Sequence, residues 1–155
     1  MTVAALIERQ GRYLLVEENT SLCLQLNTPA GHLEPGESLQ DAAVREALEE
    51  TACRFTPTAL VGVYLAASPN SKGEDNTWLR VAYCGEASDP LPGQALDEGI
   101  VRTLWLTPQQ VYDSRARHRS PLVWRCVQDH QQGRRFPLEA VQTDPSALEV
   151  LVPGT

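Results

Sequence analysis

Apolar residues in the first third of the chain come in short runs broken by polar turns. Residues 2–7 and 13–16 are β-branched, aliphatic and aromatic stretches separated by Arg9-Gln10-Gly11-Arg12, which predicts a hairpin. Glu17 and Glu18 close the second strand and read as solvated charges. Residues 22–26 predict another short strand before Asn27-Thr28-Pro29, where the proline favours an extended entry into a loop at Gly31. From Ser38 the period changes. Ser38 is a good N-cap, Asp41 stands near the capping-box position, and residues 39–52 contain neither Gly nor Pro, which predicts a helix of about four turns. Two further apolar runs, residues 58–67 and 77–84, flank a polar stretch at 68–76 and predict a hairpin with a long tip. Residues 87–99, rich in Pro, Gly, Asp and Glu, predict a surface loop before a strand at 100–106. Thr107-Pro108 starts a helix through Ser114, and Ser120-Pro121 repeats that device before residues 122–131. The tail from Phe136 has little periodicity and is expected along the surface. This order suits an α/β fold with helices on both faces of a mixed sheet.

With 155 residues the chain has the size of one domain, and a single domain spanning 1–155 is expected. The net charge of -7 disfavours extended nucleic acid or an anionic membrane as partner, because both need a basic footprint. No run approaches the roughly 18 apolar residues of a membrane span, and residues 1–10 lack the pattern of a signal peptide, so a soluble cytoplasmic protein is expected. Cys23, Cys53, Cys84 and Cys126 are widely spaced and read as small buried thiols rather than a zinc site or disulfide frame.

The predicted helix carries the densest chemistry. Glu46, Glu49 and Glu50 stand at i, i+3 and i+4 and share one narrow face, while Val44 and Leu48 point away from it. Like charges at this spacing destabilise the helix, and Glu49 and Glu50 face the negative end of its dipole, so a positive group belongs there. A solvated acidic face is the plain alternative. A hard divalent cation fits the carboxylates: Mg²⁺, with Mn²⁺ as a substitute, takes oxygen ligands and shares them with substrate phosphates. Trp78 and Arg80, at i and i+2 of a strand, share one side, where the ring could stack on a base and the guanidinium meet a phosphate. Arg115, Arg117 and Arg119 form a basic cluster that faces either substrate or solvent.

Gly31, five residues, Glu37, seven residues, then Arg45-Glu46-Ala47-Leu48-Glu49-Glu50 resembles the signature of the Nudix hydrolases, G-x5-E-x7-R-E-U-x-E-E-x-G-U with U apolar. The match occupies residues 31–53; Ala52 stands where the signature has Gly, and Ala47 and Cys53 are small occupants of apolar positions. The resemblance implies a Nudix fold, an α/β/α sandwich around a mixed sheet. It implies metal binding by Glu46, Glu49 and Glu50 with the Gly31 carbonyl, and an orienting ion pair between Arg45 and Glu37. In many Nudix proteins an acidic residue of the later loop completes the site or acts as base; of Asp97 and Glu98, Glu98 is the candidate. Val16-Glu17-Glu18, Pro29 to Glu34, Arg119 to Val123 and Gly133 to Glu139 further resemble the NudJ-type phosphatases of that family.

That likeness implies hydrolysis of nucleoside tri- and diphosphates with release of orthophosphate, and action on the pyrimidine diphosphate precursor of thiamine. The expected chemistry is attack of water on phosphorus, with Glu49, Glu50 or Glu98 taking the proton and Trp78, Arg80 and Arg119 holding substrate. A MutT-type enzyme releasing pyrophosphate needs the same metal site. A non-catalytic Nudix sensor is the rival of another class; such domains commonly lose box carboxylates, and here all are present. Monomer and homodimer both remain compatible with these features.

Overall fold

The computed structural model describes residues 1–21, 23–69 and 72–149. Strand β1 (Thr2–Arg9) is central to a seven-stranded sheet ordered β3-β2-β1-β6-β5, with β4 also paired to β1 and β7 also paired to β2. Those strands are β2 (Arg12–Asn19), β3 (Leu24–Asn27), β4 (Ala30–His32), β5 (Phe55–Pro69), β6 (Asp75–Ala87) and β7 (Ile100–Leu106). β1 runs parallel to β6 and antiparallel to β2 and β4, so the sheet is mixed. Its side chains alternate between two cores. Val3, Ala5 and Ile7 meet Ala42, Ala43 and Ala47 of α1 (Leu39–Thr51) on one face, while Ala4 and Leu6 meet Val111 of α2 (Pro108–Asp113) and Val123 and Val127 of α3 (Leu122–Gln131) on the other. Burial on both faces explains why residues 3–7 read as an unbroken apolar run rather than an alternating one. The helices therefore cover both faces of the sheet, as the sequence leads one to expect.

β1 and β2 share only their hairpin end, with Glu8 opposite Tyr13 and Arg9 opposite Arg12. Beyond it β2 runs between β3 and β7, while the first half of β1 pairs with β4. The two halves of the sheet thus part at one end, between Asn19 on β2 and Thr2 on β1. A cavity opens in that wedge.

Local chemistry sets the helix ends. Ser38 Oγ accepts from Asp41 N–H at 3.1 Å while Asp41 returns a bond to Ser38 N–H, a complete capping box. Ala52 adopts the left-handed conformation (φ 62°) and donates its N–H to Leu48 O, so alanine takes the role that glycine fills at lower cost. The buried face of α1 consists of three alanines with Glu46, Glu50 and Thr51, and Val44 and Leu48 are only half-buried. Small side chains let the helix lie close to the sheet, which is how its glutamates come to be buried. Thr107 and Gln110 form a second capping box for α2, and Ser120 Oγ accepts from Leu122 N–H at 3.2 Å before α3.

Several expectations need correction. β5 and β6 extend well beyond their apolar runs because their ladder continues through Ser68–Asn76 and Pro69–Asp75 pairs; residues 70 and 71 of the expected tip lie outside the described residues, as does Leu22. Cys53, Cys84 and Cys126 are buried, but Cys23 is exposed. The tail pairs Phe136 with Leu60 at the edge of β5 and packs Leu138 and Val141 against the α1-side core. Glu17 is not a solvated charge. It is 3% exposed and accepts from Arg102 Nε at 3.1 Å and from the Arg117 guanidinium, which ties β7 and the turn after α2 to β2. Arg115 instead lies over the Tyr112 ring, so the expected basic cluster is split between separate partners.

Hydrogen bonds from Arg117 and Arg102 hold the Glu17 carboxyl below its ordinary 4.5. A carboxylate with a depressed folded-state pKa contributes stability above its unfolded pKa, and that contribution is lost as pH falls through the folded value. Glu17→Gln is expected to cost about 1 kcal/mol at neutral pH, because both arginines are half-exposed and their pairing is screened. In urea titrations across pH, the gap between wild type and variant should be constant above about pH 5 and close below about pH 4.

Candidate active site

The chain enters the site through Pro29, and β4 sets Ala30, Gly31 and His32 beside the start of β1. α1 then returns across the same face. Gly31 is where the two meet most closely: a Cβ built there would overlap the Glu46 carboxylate, so only glycine leaves that carboxylate its place. One residue earlier, Ala30 N–H donates to Glu50 Oε2 at 2.9 Å.

Arg45 binds the loop to the helix. Its Nε and Nη2 donate to the two oxygens of Glu37 at 2.9 and 2.7 Å, a bidentate pair, and Nη2 also reaches His32 O at 2.9 Å. Nη1 turns the other way, to Glu46 Oε1 at 2.9 Å and Glu49 Oε2 at 3.1 Å. The Arg45 hydrogen bonds hold Glu37 below the usual carboxylate range, and Glu37 in turn keeps Arg45 charged. Glu46 and Glu50 go the opposite way. Burial raises Glu46 against the opposing pull of Arg45, with Glu49 and Asp97 adding to the rise. Burial likewise pushes Glu50 up to about 8, partly offset by Ala30 N–H and reinforced by Glu18, Glu46 and Asp97. The cluster holds more negative charge than Arg45 balances.

The loop after β6 completes one wall. Leu91 N–H donates to Ala52 O at 2.8 Å and Asp97 N–H to Glu49 O at 2.9 Å, so the loop satisfies carbonyls that the end of α1 leaves open. That same contact carries the Asp97 carboxylate toward Glu46 and Glu50. Glu98 lines the cavity too, but it is Asp97 whose charge acts on both buried glutamates.

The cavity has a volume of about 400 Å³. Gly31, His32, Glu50, Trp78 and Arg80 line it, together with Arg119 and Ser120. Trp78 is 36% exposed, its ring 6.3 Å from that of His32. Arg80 is 5% exposed and lies beneath it, reaching Asn27 and Thr28. Arg119 pairs with Glu18 at 3.2 Å. Glu50, Gly31, Trp78, Arg80, Glu98 and Arg119 thus share one cavity, whereas Glu37, Arg45, Glu46 and Glu49 stand behind or beside its end. Sequence reasoning passed over Glu18, Asn27 and Asp97. Asn27 immediately precedes the Thr28-Pro29 entry to the glycine loop, which is the one signal that marks it.

A family model described as the NUDIX domain matches residues 1–125 of the chain. The chain belongs to the Nudix family. Over 141 residues it is 32% identical to the phosphatase NudJ of Escherichia coli K12, covering 91% of this chain and 89% of that protein. The phosphatase NudJ of Shigella flexneri matches to the same extent. A Nudix hydrolase from Nitrosomonas europaea is 44% identical and superposes with a TM-score of 0.86 over 92% of this chain and 95% of its own. The MutT Nudix hydrolase from Burkholderia pseudomallei, 20% identical with a TM-score of 0.60 over 74% and 92% of the two chains, shares the fold. As a Nudix hydrolase the protein is an enzyme that cleaves phosphoanhydrides of small nucleotide-like substrates. Among the described residues no helix is long and apolar enough to cross a membrane.

Nudix hydrolases use divalent metal ions, and the donor chemistry here fits one. Glu46, Glu49 and Glu50 offer only hard oxygen donors, and burial, reinforced by neighbouring carboxylates, raises Glu46 and Glu50, so a cation would favour their charged forms. Among the described residues no three such groups converge as a coordination sphere, because Arg45 lies against Glu46 and Glu49, while Glu50 Oε2 accepts from Ala30. A cation entering here competes with Arg45 for two of the three carboxylates.

Gly31→Ala tests the close approach. The added methyl displaces the Glu46 carboxylate, a flexible group, so the fold should lose only about 1–3 kcal/mol in urea unfolding. Turnover of a nucleoside diphosphate should fall by at least about a hundredfold, since small displacements in a reacting site are costly.

Proposed function

We propose that the enzyme hydrolyses nucleoside tri- and diphosphates, or the pyrimidine diphosphate precursor of thiamine, with Mg²⁺ and releases orthophosphate. Mn²⁺ substitutes as a second hard cation. One observation carries this reading: a single cavity joins Gly31 and Glu50 to a buried arginine, Arg80, and an exposed tryptophan, Trp78. In this pocket the arginine suits the anionic part of a substrate and the tryptophan its ring. The phosphatase relatives support the choice of orthophosphate as product.

When bound, a divalent ion held by Glu46, Glu49 and Glu50 with the Gly31 carbonyl neutralises phosphate oxygens and acidifies water. The chain's own residues do the rest. Glu37 anchors Arg45, and Arg45 in turn holds Glu46 and Glu49 at the end of the loop. Arg80 draws a phosphate to the cavity floor, Arg119 stands at its mouth, and Trp78 offers a ring face to the pyrimidine or base. The proton of the attacking water passes to a carboxylate, with Glu49, Glu50, Asp97 and Glu98 the groups available. Burial keeps bulk water away from the Glu46–Glu50 end, which strengthens each electrostatic contact there.

Two measurements test this. Glu50→Gln preserves an oxygen for Ala30 N–H and fixes in an uncharged form a group that burial already pushes up to about 8, so its thermal midpoint should match or exceed wild type while turnover falls at least about a hundredfold. Turnover close to wild type would remove Glu50 from the site. The second measurement follows phosphate release from nucleoside di- and triphosphates and pyrimidine diphosphates, with and without added inorganic pyrophosphatase. Orthophosphate without the helper enzyme, from diphosphates as well as triphosphates, is the expected result. Signal only after the helper is added assigns a MutT-type cleavage instead, and silence across the panel favours a binding protein.

A further inference from the structure

Arg80 is the most deeply buried cation of the cavity, and its partners are neutral. Nη1 reaches Thr28 Oγ1 at 3.5 Å and Nη2 reaches Asn27 Oδ1 at 3.3 Å, both long, while Nε has no partner. The Cys126 thiol lies against the guanidinium, and burial pushes that thiol up to about 11, so it too is uncharged. Glu18 and Glu50 line the same cavity and act on Arg80 through space, yet among the described residues neither forms an ion pair with it. Burial alone weakens the charged form. A guanidinium does not respond by losing its proton, so the desolvation cost stays with the folded protein until an anion arrives.

The reason no carboxylate meets Arg80 lies at Asn27. An aspartate there would be of equal size and would complete a buried ion pair. The asparagine instead donates Nδ2 to Glu18 Oε1 at 3.3 Å, which turns its carbonyl oxygen toward Arg80. Glu18 is itself occupied by Arg119. The nearest acidic side chain is thus held one residue away from the arginine, with an amide between them.

We propose that Asn27, its amide oriented by Glu18, holds Arg80 through a neutral oxygen so that the buried guanidinium keeps its charge for a phosphate group, and that this subsite takes up orthophosphate without metal. The inference rests on the reading of this cavity as the substrate pocket and deepens it. It places a second anion-binding element in the pocket, independent of the box glutamates, and makes released orthophosphate a competitor of the substrate.

The test is calorimetric titration of the metal-free protein, in excess chelator, with inorganic phosphate. Wild type is expected to bind at about millimolar concentration or below. E18Q, which removes a nearby negative charge, should bind equally or more tightly. The double variant E18Q/N27D moves one carboxylate from position 18 to position 27 at unchanged net charge, and the new carboxylate can pair with Arg80. It should bind phosphate at least about tenfold more weakly, with a thermal midpoint equal to or above wild type. R80M should bind none. Phosphate binding by the double variant within about twofold of wild type overturns the role of Asn27, and absence of binding to wild type overturns the metal-free subsite. Hydrolysis by a wild-type protein that binds no phosphate in chelator sinks this inference alone. Phosphate binding that follows the expected order, in a protein that hydrolyses nothing on the substrate panel, leaves it standing and sinks the hydrolytic reading.

Discussion

The structure turns on the cost of gathering carboxylates at the C-terminal end of one helix. Glu46, Glu49 and Glu50 repel each other, two of them are buried, and the helix dipole opposes Glu49 and Glu50. Each neighbouring feature answers that cost. Arg45 supplies the one fixed positive charge, and Glu37 holds it by a bidentate bond so that it does not swing into solvent. Gly31 yields space to the Glu46 carboxylate, Ala30 donates a backbone N–H to Glu50, and the alanine face of α1 brings the helix close enough for both contacts. Replacing Ala42, Ala43 or Ala47 by a larger side chain would lift the helix and lengthen them all.

The same constraint determines the far wall. A helix end that carries excess negative charge cannot be capped by an acidic side chain, and here it is capped by backbone: Leu91 and Asp97 donate N–H groups to Ala52 and Glu49. At the helix end the loop is therefore held by dipoles, while farther back Arg9 pairs with Asp89 at 2.8 Å. One consequence is that an additional carboxylate, that of Asp97, is carried toward the site by a contact whose main role is structural.

This explains which parts were legible in the sequence. The box residues lie within one contiguous segment whose spacing is set by helix geometry, so Gly31, Glu37, Arg45 and the three glutamates could be read together, and the capping of α1 with them. The strands themselves, though not their order in the sheet, followed from apolar runs that reflect burial on two faces. What could not be read depends on partners distant in sequence. Glu17 looks like a solvated strand end because its arginines stand 85 and 100 residues away, and Asn27 looks like a turn residue because Arg80 is 53 residues on. Asp97 and Glu98 are adjacent acids that look alike in sequence, and only the backbone hydrogen bond from Asp97 N–H to Glu49 O ties the former to the end of α1. Val44 and Leu48 point away from the glutamates, and the buried face of the helix is instead the one that carries the alanines with Glu46 and Glu50, because close approach matters more here than apolar area.

The cavity combines two incomplete electrostatic arrangements. Beside it the buried carboxyls of Glu46 and Glu50 are raised despite the guanidinium of Arg45; within it Arg80 has no acidic partner among the described residues, and the amide of Asn27 separates it from Glu18. Joining them directly would give a stable protein with a neutral, inert pocket. Kept apart, each is completed only by a ligand of opposite sign, and a polyphosphate with its cation brings both signs at once. On the proposed reading the two binding events would favour each other: a cation at the glutamates would reduce the repulsion felt by an incoming phosphate, and by reciprocity a phosphate at Arg80 would tighten the cation by the same factor. A chain of net charge -7 can in this way hold a polyanion without a basic surface, because the attraction is confined to one buried guanidinium and to a cation that arrives with the substrate.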